Sequence, residues 1–460
     1  MRDDLIQYYR CPERYVRLAL NGSLSETSGY FRFGDSTICY GKYCGRRPAV
    51  SPAATLHDGY SDISIEKGTV SIPFDLARVI RNLRYELYTA SAENHDSAFR
   101  SAERNLYYFV RPLLPVAVRK RLQRIHLNGW REAPFPHWPV DRSVDNVFEQ
   151  LLLLSLRAQG VDRIPFIWFW PEGAPSCAIM THDVETAQGR DFCTALMDIN
   201  DSFGIKASFQ IVPECRYAVT PSFLNSISKR GFEVAVQDLN HDGHLYRNRR
   251  EFRKRAAKIN LYGRHWGAGG FRAAVLYRKQ EWFDDLEFSY DMSVPNVAHL
   301  DPQRGGCCTV MPYCVGKLLE LPVTTTQDYS LFHILNDYSI ALWKKQIDLI
   351  MEKHGLLSFI IHPDYITRNR ERFTYTTLLA HLATLRAEKG VWVATPGEVN
   401  CWWRQRMEMR IIEDGDNLHI EGPGRERARI AYASERNGKL VLTVGQSDES
   451  AHLSSLSRSV

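Results

Sequence analysis

The chain has no CxxC pair among its ten cysteines, which lie scattered at Cys11, Cys39, Cys44, Cys177, Cys193, Cys215, Cys307, Cys308, Cys314 and Cys401. That spacing does not read as a disulfide framework. No run of about eighteen apolar residues offers a membrane span. The amino terminus opens charged, as Met1-Arg2-Asp3-Asp4, without the apolar centre of a signal peptide. A reducing cytoplasm is therefore the expected setting. Charge of one sign is scarce too. A net +5 over 460 residues is too dilute for nucleic acid, which needs a concentrated patch. What is present is an ordinary globular balance, 44% hydrophobic and 24% charged, in a chain too long for one core.

The texture changes along the chain. Residues 1–165 read as a mixed α+β region of unknown role: Gly, aromatics and two cysteines at 28–50 suggest short strands and turns. From 74 to about 108 the pattern is helical, with Leu76, Val79, Ile80, Leu83 and Leu87 on one face. Pro112 and Pro115 punctuate it, and a basic stretch at 118–124 reads as a solvated helix face or a peripheral membrane contact. Residues 133–140 look like a linker, followed by a helix through 151–156. From about 166 to 403, apolar strands at 177–180, 207–211, 233–236, 270–272, 319–323, 356–361 and 391–394 alternate with helices at 192–203, 221–229, 250–261, 340–354 and 376–389. Strand then helix, repeated, argues for an α/β barrel with its chemistry at the strand ends. Four short strands at 407–412, 417–421, 427–433 and 439–444 predict a small antiparallel domain over 404–446. A Ser-rich tail, 447–460, reads as disordered.

Four strand ends carry polar groups. The first reads Thr181-His182-Asp183-Val184-Glu185, which serves either as an acid pair or as a helix cap. The third packs Asp238, His241, Asp242 and His244 behind Gln237, a mixture that suits zinc ligation or a turn built on its own backbone. Gly269-Gly270-Phe271-Arg272 and Phe359-Ile360-Ile361-His362-Pro363 supply an arginine and a histidine. Their convergence carries more weight than any one of them.

In this chain order the motifs resemble those of the polysaccharide deacetylase (NodB-like, carbohydrate esterase family 4-like) superfamily, over about half of the chain. The resemblance implies a distorted seven-stranded (β/α) barrel. Its general base falls on Asp183. The ligand acid that normally follows directly is Val184 here, so Glu185 takes that role on the pattern with one residue between the acids. The two-histidine motif falls on Gln237 and His241, and Asp242 or His244 is the expected source of the missing donor. The motif arginine is Arg272, with Ala274 where a proline often stands. The acid that tunes the catalytic histidine falls on Asp291, and that histidine on His362.

The implied reaction is hydrolysis of an N-acetyl group on an amino-sugar carbohydrate, assisted by one divalent ion, zinc being the natural choice. Asp183 is the expected base, His362 the acid and Arg272 the group that orients Asp183. Trp266 and Trp282 either stack on a sugar ring at the mouth or pack in the core. The rival is a metal-free carbohydrate-binding or assembly protein, favoured by Val184 and Gln237. A hydrolase of another C–N bond is a third reading.

Overall fold

The computed structural model describes residues 2–89, 130–415 and 417–445. The expected basic stretch at 118–124, the far end of the helix expected to reach 108, and the tail lie outside them. Helix α1 (Arg2–Tyr9) leads into strands β1 (Leu18–Leu20), β2 (Gly29–Arg32), β3 (Ile38–Gly41), β4 (Ser64–Glu66) and β5 (Thr69–Ile72). β2 and β3 form a hairpin, and β1, β5 and β4 a small sheet. Helix α2 (Leu76–Arg84) starts where the Asp75 carboxylate accepts from Arg78 N, and it buries Leu76, Val79, Ile80 and Leu83 of the predicted stripe; it stops at Arg84, and a turn follows, so Leu87 falls outside it. The expected linker is not loose. Phe135 is buried, and the buried Asp141 carboxylate accepts from His137 N at 2.6 Å and Ser143 N at 2.8 Å. Helix α3 (Ser143–Gln159), longer than the 151–156 expected, follows.

Strand β6 (Arg163–Ile167) straddles the boundary expected at 165/166. The barrel proper begins with β7 (Cys177–Val184), buried along its whole length, as a parallel strand covered on both faces must be. Around it run helix α4 (Ala187–Ser202), β8 (Ser208–Ile211), α5 (Pro221–Ser228), β9 (Glu233–Gln237), α6 (Arg249–Trp266), β10 (Gly270–Arg272) and β11 (Tyr290–Asp291). β12 (Tyr313–Val315) pairs antiparallel with β13 (Leu318–Glu320); helix α7 (Ala341–Met351) and β14 (Leu356–Ile361) follow. The parallel order is β13-β11-β10-β9-β8-β7-β14. No ladder joins β13 to β14 among the described residues. Backbone and side-chain bonds of Thr324 and Thr325 close that seam instead. Thr325 donates from N (3.3 Å) and Oγ1 (2.7 Å) to Ser358 O, and Thr324 Oγ1 donates to Leu356 O at 2.6 Å. The result is the distorted seven-stranded barrel.

Helix α8 (Asn369–Lys389), strand β15 (Trp392–Ala394) and helix α9 (Pro396–Glu408) finish the barrel. A Thr395–Glu398 capping box starts α9. Because α9 runs to Glu408, Met407 is helical and the expected first C-terminal strand shortens to β16 (Arg410–Asp414). β17 (Asn417–Glu421) pairs with it. β18 (Ile430–Arg436) and β19 (Lys439–Val444) form a second hairpin, and β6 adds to β18 as a third strand. The buried Arg406 donates to the carbonyls of Tyr8, Ile167 and Trp168, which ties α1, β6 and α9 around one aromatic core.

Candidate active site

Each candidate group sits where a parallel strand ends, because a residue past the last ladder bond is free to turn its side chain into the barrel mouth. Along β7 the side chains alternate. Asp183 faces inward, whereas His182 points outward to Asn200 and Tyr375, where burial pushes its imidazole down to about 3. Arg272, fully buried at the end of β10, donates from Nη1 to Asp183 Oδ1 at 2.6 Å and to Thr181 Oγ1 at 2.8 Å. Its Nε bonds Met292 O at 2.9 Å, so the guanidinium is fixed from three sides.

Glu185, just past β7, is the hub. Its Oε1 lies 2.7 Å from His241 Nε2 and 3.4 Å from His362 Nε2. Ligand atoms of Asp183, Glu185 and His362 all fall within 4.8 Å of one another. Burial alone would raise the Glu185 carboxyl, but the imidazoles of His241 and His362 hold it well below the usual carboxylate range. His241 reaches the hub through a bent loop. Asp238 (φ 49) and His241 (φ 55) both adopt left-handed backbone, which costs on the order of 1–3 kcal/mol per non-glycine residue.

His362 is held from behind by an acid the sequence did not single out. Its Nδ1 is 2.7 Å from Asp328 Oδ1, and its backbone N donates to Asp328 Oδ2 at 2.7 Å. Burial opposes protonation of His362, yet Asp328 and Glu185 carry it well above the ordinary histidine range. The acid behind this histidine is thus Asp328, not Asp291. Asp291 accepts from Ser293 N and Oγ, both at 2.8 Å, and lies in register with Glu320. Burial, then the charge of Asp291, pushes Glu320 well above the usual carboxyl range. Asp328 lies in the loop well past Glu320, the last residue of β13, so no strand-end pattern marked it in the sequence.

Gln237 does stand at the ligand position. Its Nε2 donates to Asp183 Oδ2 at 3.1 Å and to Glu185 Oε1 at 3.2 Å. The donors expected to replace it do not arrive. Asp242 carries both oxygens to Arg255 (2.7 and 2.9 Å), and His244 is exposed beside it. Trp266 is elsewhere too. Trp266 is the last residue of α6, at the end of the barrel opposite the strand mouths, and packs on Tyr262. Trp282 packs on Phe252 and Tyr246.

The residues present fit a divalent ion. Gln237 Oε1 and His241 Nε2 are buried without a hydrogen-bond partner; the short His241–Glu185 contact is close enough for a hydrogen bond but not aligned as one. The Glu185 carboxylate, the His241 imidazole and the Gln237 amide oxygen form the mixed N/O set that zinc accepts.

No family model matches the chain, and no curated protein matches it by sequence. Solved structures do. A Mycobacterium smegmatis protein described as a polysaccharide deacetylase is 20% identical, with a TM-score of 0.42, and the match covers 51% of this chain and 92% of that one. The peptidoglycan deacetylase PdaC of Bacillus subtilis is 12% identical (TM-score 0.34, covering 52% and 95%). A family 4 acetyl xylan esterase of Clostridium thermocellum, solved with a cobalt ion, is 13% identical (TM-score 0.31, covering 49% and 91%). In fold the chain is similar to these proteins.

Proposed function

We propose that this chain is a metal-dependent hydrolase that removes N-acetyl groups from an amino-sugar-containing carbohydrate. One observation carries the reading: Asp183 and His362 meet at Glu185, each fixed from behind by a buried partner of opposite charge, Arg272 and Asp328. A base and an acid so placed flank one reacting centre. Asp183 takes the proton of the attacking water. His362, with Asp328 on its Nδ1, holds a proton at Nε2 and delivers it to the departing amine. Glu185 and His241, with the Gln237 amide oxygen, would hold the ion. When bound, a zinc ion supplies an electrophile and lowers the pKa of water toward about 7. The cysteines are all unpaired and mostly buried, which suits a reducing compartment, and we place the activity in the cytoplasm.

A second reading has one observation in its favour. As oriented, Gln237 offers N–H groups to Asp183 and Glu185, which suits a metal-free, carbohydrate-binding barrel. Elemental analysis and acetate release from N-acetylated oligosaccharides separate the two. The enzyme retains about one divalent ion per chain after zinc addition, and Asp183→Asn lowers its turnover by about 100- to 10,000-fold. Zinc well under about a tenth of an equivalent, or near-normal turnover in the variant, overturns the proposal.

A further inference from the structure

The loop that carries His241 to the hub, between β9 and α6, is anchored at both ends and slack in the middle. Leu239, Leu245 and Tyr246 are buried in one apolar cluster, and Asp238 N donates to Arg272 O at 2.8 Å. Between those anchors the backbone passes through left-handed conformations at His241 (φ 55) and Gly243 (φ 76). Among the described residues, no backbone–backbone hydrogen bond holds residues 240–243. A chain so bent persists only where its surroundings fix it.

One side chain supplies that fixation. Arg255 projects from the second turn of α6, its side chain only 13% exposed. Its Nη1 donates to Asn240 Oδ1 at 3.2 Å and to Asp242 Oδ1 at 2.7 Å, and its Nη2 donates to Asp242 Oδ2 at 2.9 Å. Asn240 and Asp242 are the two chain neighbours of His241, so the guanidinium grips the loop directly before and directly after it. Asp242 Oδ1 also accepts from His244 N at 2.8 Å, which closes the turn behind. Glu251, one helical turn back, accepts from Arg255 Nε at 2.7 Å and holds the fork in its plane.

We propose that Arg255 is the positioning residue for His241: its guanidinium fixes the left-handed bend at residue 241 and so aims His241 Nε2 into the metal site. The proposal rests on the metal-site reading given above. It also gives Asp242 a part, since that residue sits beside a ligand and serves it through Arg255 without touching the ion. A planar fork suits the task, because it meets several acceptors at once in one fixed geometry. Groups that orient a ligand in this way are commonly worth about tenfold to 100-fold in metal affinity.

The test is zinc affinity, read by competition with a chelator, in the full chain as wild type, Arg255→Met, Asp242→Ala and the double variant. Each single change is expected to weaken zinc binding by about tenfold to 100-fold. The double variant should be about as weak as the weaker single one, because both changes release the same grip. Hydrogen exchange of the zinc-free Arg255→Met protein should quicken at residues 240–244 and stay at the wild-type rate in the barrel strands. Arg255→Lys, a point charge in place of a fork, should fall between wild type and the methionine variant, and it carries the comparison if the methionine variant does not fold. Wild-type zinc affinity in the Arg255 variants overturns the clamp and leaves the metal site standing. So do effects of Arg255→Met and Asp242→Ala that multiply in the double variant, since Asp242 would then act independently of Arg255. A wild-type protein that binds no zinc overturns the metal-site reading, and the clamp falls with it.

Discussion

Two pairs of buried charge, Arg278 with Glu86 and Arg272 with Asp183, are equally hidden from water yet differ in how completely they are satisfied. Glu86 accepts from Arg278 Nε at 2.7 Å, from Arg278 Nη2 and from Gly306 N at 2.6 Å; Arg278 Nη1 donates to Leu276 O at 2.9 Å. Nothing in that pair is left over, and it fastens the end of α2 to the barrel loops. Around Asp183, by contrast, Arg272 Nη2 and Gln237 Oε1 are buried without hydrogen-bond partners, and His241 Nε2 has only its unaligned contact with Glu185. Orphaned polar atoms in a folded protein cost on the order of 1–3 kcal/mol each. Several such atoms gathered at one strand-end ring support the metal-site reading proposed above. The difference teaches that burial of charge alone does not mark a site.

The largest test of that contrast is Arg278→Met. It leaves Glu86 buried without its cation and should cost about 3–5 kcal/mol of stability in chemical denaturation, while zinc content stays at the wild-type level. If the variant loses the ion instead, the two clusters are not separate. A smaller effect is expected at Asp301, whose carboxyl burial pushes up to about 6, against the opposing pull of Arg278. A folded-state value raised above the ordinary 3.8 means that folding favours the protonated form. That contribution is complete below about pH 4 and is lost as pH rises through about 6. Asp301→Asn should therefore be more stable than wild type at pH 7, by on the order of 1–3 kcal/mol, with the gap closing below about pH 4. Equal pH profiles in denaturant melts would refute it. The smallest effect belongs to Gln237→His, which exchanges a weak amide donor for an imidazole. Zinc affinity, read by competition with a chelator, should rise by at least about tenfold; no change would mean that residue 237 does not face the ion.

Much of the barrel was legible because its signal is local. The apolar runs of β7, β10 and β14 stand out against capped helices, and Asp183, Arg272 and His362 follow or end such runs. β11 was not legible, being only Tyr290–Asp291, too short to show any alternation. Nor was the sharing of β6 with β18, which joins segments far apart in the chain. Asp242 and His244 looked like ligands by proximity in sequence, but Arg255, in the second turn of α6, claims Asp242.

By itself, then, the sequence determined the alternation of strand and helix and the residue types at each strand end, because period, capping and turn chemistry are properties of neighbouring residues. Only the tertiary structure decided which of those residues meet. Barrel closure through Thr324 and Thr325 runs the loop behind β13 past β14, and that crossing sets Asp328 against His362 and Tyr329 against Tyr365. The β11–β13 register sets Asp291 beside Glu320. A partner chosen by the crossing of two loops depends on how the sheet curls, and no local pattern in the chain encodes that curl.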